Sequence, residues 1–369
     1  MGNPHSRSQF AQPALYRILD ANLDRTREGL RVIEEWCRFG LNNAPLTERC
    51  KSLRQELATW HTPELRAARN TPGDLGTELT HPQEETRDSI EQVLQVNFCR
   101  IEEALRVLEE YGKVYSTEMA AAVKQMRYQV YTLESSLMAY QRHQKLKQAS
   151  LYLVTSPSET LFATIEAALQ GGLAIVQYRD KETDDLTRLS TARKLQQLCQ
   201  DYGALFIVND RIDLALAVDA DGVHLGQQDM PLELARQLLG PQRLVGRSTT
   251  NPSELDRAIQ EGADYVGVGP VYETPTKEGK VAAGVEYVQY AAEHCPVPWF
   301  AIGGIDTNNV QEVLSAGAYR ISVVRAIMQA DQPTLATQYF LAQLNQKQTL
   351  HGRRKTLSNG HLSTEDLWS

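Results

Sequence analysis

Cysteine is scarce in this chain, and long apolar runs are missing. Five cysteines among 369 residues, at 37, 50, 99, 199 and 295, form no CxxC pair and no metal-ligand spacing. So odd and sparse a set fits a reducing cytosol and argues against a disulfide framework. No stretch approaches the roughly 18 apolar residues of a membrane helix, and the N-terminus carries no apolar core for a signal peptide. MGNPHS matches the N-myristoylation pattern with Gly2 and Ser6 in place, but the pattern is short and frequent by chance, and nothing else suggests a membrane. Net positive charge is also lacking: a formal charge of −8 argues against a nucleic-acid surface, which needs clustered basic groups. What remains is a cytoplasmic protein of two domains, with no membrane or nucleic-acid partner and with homo-oligomerisation left open.

The N-terminal third contains a repeat. Ile18 to Phe39 recurs without gaps as Val93 to Val114, so that Leu19, Asn22, Arg25, Glu28, Leu30, Arg31 and Glu35 meet Leu94, Asn97, Arg100, Glu103, Leu105, Arg106 and Glu110. In each copy the leucines follow helical spacing and make one apolar stripe, with acid–arginine pairs on the solvated face. Gly29 and Ala104, small residues beside that stripe, let another helix approach closely. A longer helix follows, with Met119, Val123, Met126, Val130, Leu133, Leu137 and Tyr140 at 3–4 spacing. Asn22/Arg25 and Asn97/Arg100 suggest a pseudo-symmetric anion pocket, closed by Arg69, Asn70 and Asp74 of the loop ARNTPGDLGTE; packed helices bridged by polar groups are the plainer reading. There is no P-loop here. Residues 1–145 are read as an all-α domain, with the polar Gln141 to Ser150 as its boundary.

After Leu151 the pattern changes to short β-rich runs: Leu151–Val154, Ile175–Tyr178, Leu205–Val208, Gly222–Leu225, Leu244–Gly246, Tyr265–Val268, Trp299–Ile302 and Ile321–Val324. Helix-like segments lie between them. Eight such units predict an α/β domain, a (β/α)8 TIM barrel over 146–345, followed by a disordered tail over 346–369. A doubly wound sheet would need a Gly-rich turn after its first strand, where Ser156-Pro157-Ser158 stands instead.

In a barrel, reactive groups gather at the carboxyl ends of the strands. The third strand ends in Asn209-Asp210, and Gln227 and Asp229 follow the fourth. Taken singly, Asp210 is a helix cap and Asp229 a turn residue. Together, on neighbouring strand ends, they suit a divalent cation such as Mg²⁺, which takes one or two carboxylates plus phosphate oxygens. The rest of the rim carries Gln177-Tyr178-Arg179-Asp180-Lys181, Ser248, Thr274-Pro275-Thr276-Lys277, Gly303-Gly304 and Val324-Arg325. Arg179, Lys181 and Lys277 beside two carboxylates predict a site for a multiply charged, metal-carried anion. Gly303-Gly304 and the start of the next helix match the usual phosphate site of barrels. No nucleophile–His pair stands out.

The motifs QYRDK, VNDR, DGVHLGQQDMP, GRST, ADYVGVGPVYETPTK, AIGGI and ISVVRAI, in this order, resemble those of the thiamine-phosphate synthase family and cover nearly all of 151–330. The resemblance implies a transferase of thiamine biosynthesis. It would join an aminopyrimidine methyl diphosphate to a thiazole phosphate and release diphosphate, with Asp210 and Asp229 holding Mg²⁺. It assigns Gln177 to Lys181, Asn209, Ser248 and Lys277 to the pyrimidine diphosphate, and Thr274 to Thr276, Gly304, Val324 and Arg325 to the thiazole phosphate. Thr249-Thr250 stand where the family often has a His, and Arg325 where it often has Ser. The helical part resembles domains fused to this synthase and associated with pyrimidine-phosphate kinase activity. A thiazole tautomerase would not need the paired aspartates; a non-catalytic phosphate sensor is the other alternative, separated by turnover.

Overall fold

The structure, a computed structural model, describes residues 11–70, 72, 86–274 and 281–359, with side chains for 12–70, 72, 86–274 and 281–346. Two compact units divide the chain, Met1–Met138 and Ala139–Ser369. Helices α1 (Ala11–Glu35), α2 (Ala44–Thr59), α3 (Pro63–Ala67), α4 (Ile90–Tyr115) and the first part of α5 (Thr117–Gln148) make up the first unit. The duplicated segments are α1 and α4. Leu19, Leu23, Leu30 and Ile33, and their counterparts Leu94, Phe98, Leu105 and Leu108, are all buried. A Cβ on Gly29 would stand 2.6 Å from Ile101 Cγ1, so this glycine is what lets α1 close on α4. Glu34 and Glu109 occupy equivalent buried positions, and each is clasped by two arginines: Arg31 at 3.2 Å and Arg54 at 2.5 Å, Arg106 at 3.3 Å and Arg127 at 3.0 Å.

The second unit is a closed barrel of eight parallel strands in chain order. They are β1 (Leu151–Val154), β2 (Ile175–Tyr178), β3 (Leu205–Asn209), β4 (Gly222–Leu225), β5 (Leu244–Thr249), β6 (Tyr265–Val268), β7 (Trp299–Ile302) and β8 (Ile321–Val323). Helices α6 (Leu161–Gln170), α7 (Asp185–Asp201), α8 (Ile212–Ala217), α9 (Leu232–Leu239), α10 (Pro252–Gln260), α11 (Gly284–His294), α12 (Val310–Ser315), α13 (Arg325–Met328) and α14 (Pro333–Asn359) follow the strands. Side chains alternate along each strand. Val176, Phe206, Val208, Val223, Val245, Val266 and Ala301 therefore face the helices, while Tyr152, Ile175, Leu205, Ile207, Leu244, Tyr265 and Phe300 fill the interior. A Cβ on Gly246 would lie 2.2 Å from the Tyr265 ring, so a glycine there gives the tyrosine room inside the barrel.

Gln141 to Gln148, read from sequence as a linker, is helical and continues α5. Leu146 and Ala149 pack among the interior residues at the amino ends of the strands and close the barrel floor. Arg142 bonds Asp221 at 2.8 Å, His143 bonds Asp264 at 3.0 Å, and Arg320 donates to the Lys147 and Ala149 carbonyls at 2.8 and 3.1 Å. The polar composition that suggested a solvated connection comes from ion pairs with the floor, which is why the division falls at Met138/Ala139 and not at 145/146. Residues 346–359, read as part of a disordered tail, continue α14 to Asn359; residues 360–369 lie outside the described ones.

Candidate active site

Parallel strands put all eight carboxyl ends at one mouth. At the end of β3 the backbone of Asp210 turns into the left-handed region (φ 61°), a conformation in which aspartate is among the few tolerated side chains. Its N–H donates to the His224 carbonyl at 3.0 Å, and α8 begins with no side-chain cap, so Asp210 is not spent as a helix cap. Beyond β4, Asp229 closes a tight turn by accepting from the Gly226 N–H at 2.6 Å. The two carboxylates come into hydrogen-bond contact, and Lys181 Nζ reaches Asp210 Oδ2 at 2.8 Å. Burial, then the neighbouring Asp229, raises the Asp210 carboxyl above the ordinary carboxylate range against the pull of Lys181. At Asp229 the burial penalty is outweighed by the contact with Asp210, the Gly226 N–H and the charges of Lys181 and Arg247, which hold that carboxyl low.

Inside the strand ends lies a cavity lined by Gln177, Arg179, Asn209 and Ser248, all expected from sequence. Sequence reading missed Tyr152, His224 and Tyr265, which share it. Gln177 Nε2 donates to the Tyr152 hydroxyl at 2.8 Å, which lies 2.9 Å from the Tyr265 hydroxyl. His224 stands between Tyr265 (3.3 Å) and Ser248 Oγ (2.9 Å). Burial raises both phenols, so they stay neutral hydrogen-bonding groups. Strand alternation was the available signal: His224 sits between the outward Val223 and Leu225 and must face inward.

Some expected residues point elsewhere. Tyr178 turns outward into the strand–helix layer and its hydroxyl donates to Asp180 at 3.3 Å, which leaves only its backbone near the mouth. Asp180 accepts from the Glu182 and Thr183 N–H groups and the Thr183 hydroxyl, holding the turn before α7. Thr249, standing where the family often has a His, is fully buried in the outer layer, donating to the Gly267 carbonyl and accepting from Tyr287. Thr250 is bonded to Glu254 through both its N–H and its hydroxyl. Arg247, unremarked in the sequence, reaches the Met230 carbonyl at 3.3 Å and the Gln227 carbonyl at 3.4 Å, bracing the Asp229 turn.

On the opposite side of the mouth, Gly303 and Gly304 adopt φ of 108° and 66°, and the Gly304 carbonyl accepts from Asn309 Nδ2 at 2.8 Å. A Cβ on Gly304 would come within 2.8 Å of Tyr272 Cβ. The Tyr272 hydroxyl in turn donates to Glu312 on α12 at 2.7 Å. Val324 precedes α13 and Arg325 opens it. Thr274 ends the described part of this loop; Pro275, Thr276 and Lys277 lie outside the described residues.

Residues 151–327 match the family described as thiamine monophosphate synthase, and residues 17–136 match the ThiD2 family. Proteins named thiamine-phosphate synthase are 71% identical in Nostoc punctiforme (94% of this chain, 98% of that protein) and 61% identical in Thermosynechococcus vestitus (90% and 95%). The chain belongs to the thiamine-phosphate synthase family. A thiamine phosphate pyrophosphorylase structure from Pyrococcus furiosus is 36% identical, with a TM-score of 0.50, covering 56% of this chain and 98% of its own. The fold is an eight-stranded parallel barrel with an all-helical region before it in the chain, and the chain is a transferase of thiamine biosynthesis. Among the described residues no helix is long and apolar enough to cross a membrane.

Proposed function

We propose that the barrel mouth joins an aminopyrimidine methyl diphosphate to a thiazole bearing a phosphate ester, giving thiamine phosphate and diphosphate. The observation that carries this reading is the contact of Asp210 with Asp229 beside Lys181, at strand ends that also supply Gln177, Arg179, Asn209 and Ser248 to the cavity. Two facing carboxylates are donors for a hard divalent cation completed by phosphate oxygens, and the lysine beside them suits the anion such a cation carries; among the described residues no third His, Cys, Asp or Glu joins them. Asp210 and Asp229 would hold Mg²⁺, which supplies Lewis-acid charge neutralisation to the diphosphate. Arg179, Lys181 and Lys277 would neutralise the same anion, an electrostatic contribution that is often the largest in catalysis.

Gln177, Asn209 and Ser248 orient the pyrimidine ring in the cavity. The CH₂–O bond breaks with its electron pair leaving on the diphosphate, the electron-rich aminopyrimidine spreads the charge, and the thiazole nitrogen closes the new C–N bond. No proton has to move, so no general base is required. Thr274 to Thr276, Gly304 and the Val324 and Arg325 N–H groups receive the thiazole phosphate, and proximity supplies the rest. Purified full-length chain with Mg²⁺ and both substrates should form thiamine phosphate. Gly304→Val should raise the thiazole-phosphate KM selectively, because its Cβ would meet Tyr272 at 2.8 Å and a β-branched residue resists the φ of 66°, which shifts the backbone that receives the phosphate. Equal loss for both substrates, or none, would remove Gly304 from that site.

For the helical unit we propose separate binding of a pyrimidine phosphate intermediate. A pocket there is lined by Arg17, Asp20, Asp24, Arg25, Arg69 and Asn70. Behind it Asp20 is buried against His61 (2.6 Å) and Arg69 (2.8 Å). The repeat carries Gln95 and Cys99 where Asp20 and Asp24 stand, so the cluster exists in one half only. Asn22 lines the pocket, but its side-chain amide, like that of Asn97 in the repeat, donates to its own helix, to the Ile18 and Val93 carbonyls at 2.8 Å. Asp74 lies outside the described residues. Calorimetry with the aminopyrimidine monophosphate should detect binding that survives Asp210→Asn and is lost in Arg25→Ala/Arg69→Ala; the opposite pattern would assign all binding to the barrel.

A further inference from the structure

Strand β8 contributes one polar side chain to the reaction cavity that the reading above leaves without a role. Alternation turns Ile321 and Val323 into the strand–helix layer and Ser322 to the interior, in register with Tyr152 on β1 and Ile302 on β7. Ser322 lines the same cavity as Gln177, Asn209 and Ser248, and it is 2% exposed. Its hydroxyl has no hydrogen-bond partner among the described residues. The contrast with its surroundings is sharp, since Gln177, Tyr152, Tyr265, His224 and Ser248 form one continuous hydrogen-bonded chain around that interior.

A buried hydroxyl without a partner bears its desolvation cost with no return, and an alanine at this place would avoid it. Because it lines the cavity, it is a natural point at which a ligand heteroatom supplies the missing partner. Apart from Arg179 at the end of β2, the described side chains lining this cavity are uncharged, and Asp210 and Lys181 lie at the strand ends, so the portion of a ligand that descends to Ser322 is the uncharged ring. We propose that the Ser322 hydroxyl is a further specificity-determining contact, hydrogen-bonding a ring nitrogen or the exocyclic amine of the aminopyrimidine. A hydroxyl can donate to the one or accept from the other. This rests on the reading of the cavity as the pyrimidine site.

Steady-state kinetics and thermal melting of Ser322→Ala test it, with Gln177→Ala as the companion variant. Ser322→Ala should lower kcat/KM for the pyrimidine diphosphate by roughly 3- to 10-fold, the size of one net hydrogen bond. The thiazole-phosphate KM should stay unchanged and the melting temperature should stay equal or rise. A residue with only a structural role would give the reverse, a lower melting temperature with both substrates affected alike. If Gln177→Ala weakens the pyrimidine substrate and Ser322→Ala does not, the cavity reading stands and the Ser322 contact is overturned. If neither variant affects that substrate, both fall together.

Discussion

At the floor of the barrel Asp264 accepts from His143, from Arg236 and from the Val245 N–H, while Asp221 accepts from Arg142 and from the Phe206 N–H. At the mouth, by contrast, Asp210 meets one lysine and a second carboxylate. The residue types are the same at the two ends. What differs is how fully their acceptor sites are filled. A carboxylate saturated with donors contributes to stability, because removing it strands buried cations and N–H groups. Two carboxylates pressed together under one lysine hold repulsion that a ligand relieves, and such frustration is tolerated where binding needs it. Mouth and floor should therefore respond oppositely to the same kind of substitution.

The largest effect belongs to the mouth. Asp210→Asn and Asp229→Asn each keep the local shape, Asn being tolerated at the positive φ of residue 210. Each should lower kcat/KM by on the order of 100-fold or more, since a preorganised charge is lost. The melting temperature should hold or rise, because a like-charge contact goes too. Wild-type turnover at low Mg²⁺ in either variant would take that residue out of the metal site.

At the floor the balance inverts. Asp264→Ala leaves Arg236, His143 and the Val245 N–H without their acceptor, and should cost about 3 kcal/mol in denaturant unfolding of the full chain. The kcat/KM of the folded fraction should stay within a factor of about two, the sites being distant and independent. A loss of activity matching that of Asp210→Asn would erase the distinction between the two ends.

The difference between the ends also governs what could be read in advance. Strand ends at the mouth announce themselves, because Asn209-Asp210 breaks an apolar run and DGVHLGQQD ends in a carboxylate, so Asp210, Asp229 and Lys181 were legible together. All eight strands were legible too, since each buried run is short and bounded by polar or glycine residues. The floor was not. Asp221 and Asp264 stand before their strands and look like turn residues, and their partners Arg142 and His143 come from a stretch whose composition resembles a linker. Tyr178 was misplaced and His224 missed for one reason: motif membership says which residues are near the mouth, and only strand parity says which side chains face it.

A smaller effect is the pH response of the floor. The hydrogen bond to Asp264 raises His143 above the ordinary imidazole range, and Asp264, with its burial penalty outweighed by His143 and Arg236, is held low. A raised histidine adds stability that is complete below about pH 6.5 and fades as the pH rises through its folded value. A lowered carboxyl adds stability present above about pH 4 and lost below it. The clamp is thus strongest between these limits. Melting temperatures should decline from pH 6 to pH 8.5, and His143→Gln should flatten that slope; an unaltered slope would place its origin elsewhere.

The smallest effect sharpens the comparison from within the mouth, where Tyr272 behaves as floor residues do. Its Cβ and backbone carbonyl back Gly304, and its hydroxyl is spent on Glu312 at 2.7 Å, tying the loop that leads to Thr274 onto α12. Nothing in that bond can reach a substrate, so its contribution is positional. Tyr272→Phe removes one hydrogen bond to a carboxylate, worth about 1 kcal/mol net, and only part of that passes to the phosphate site. The thiazole-phosphate KM should rise about 2- to 4-fold, with kcat and the pyrimidine KM unchanged. Glu312→Ala should do the same, and the double variant should add nothing further, because both break a single contact. Additive losses would mean that the two side chains act separately, and Tyr272 would then belong with the open groups of the mouth.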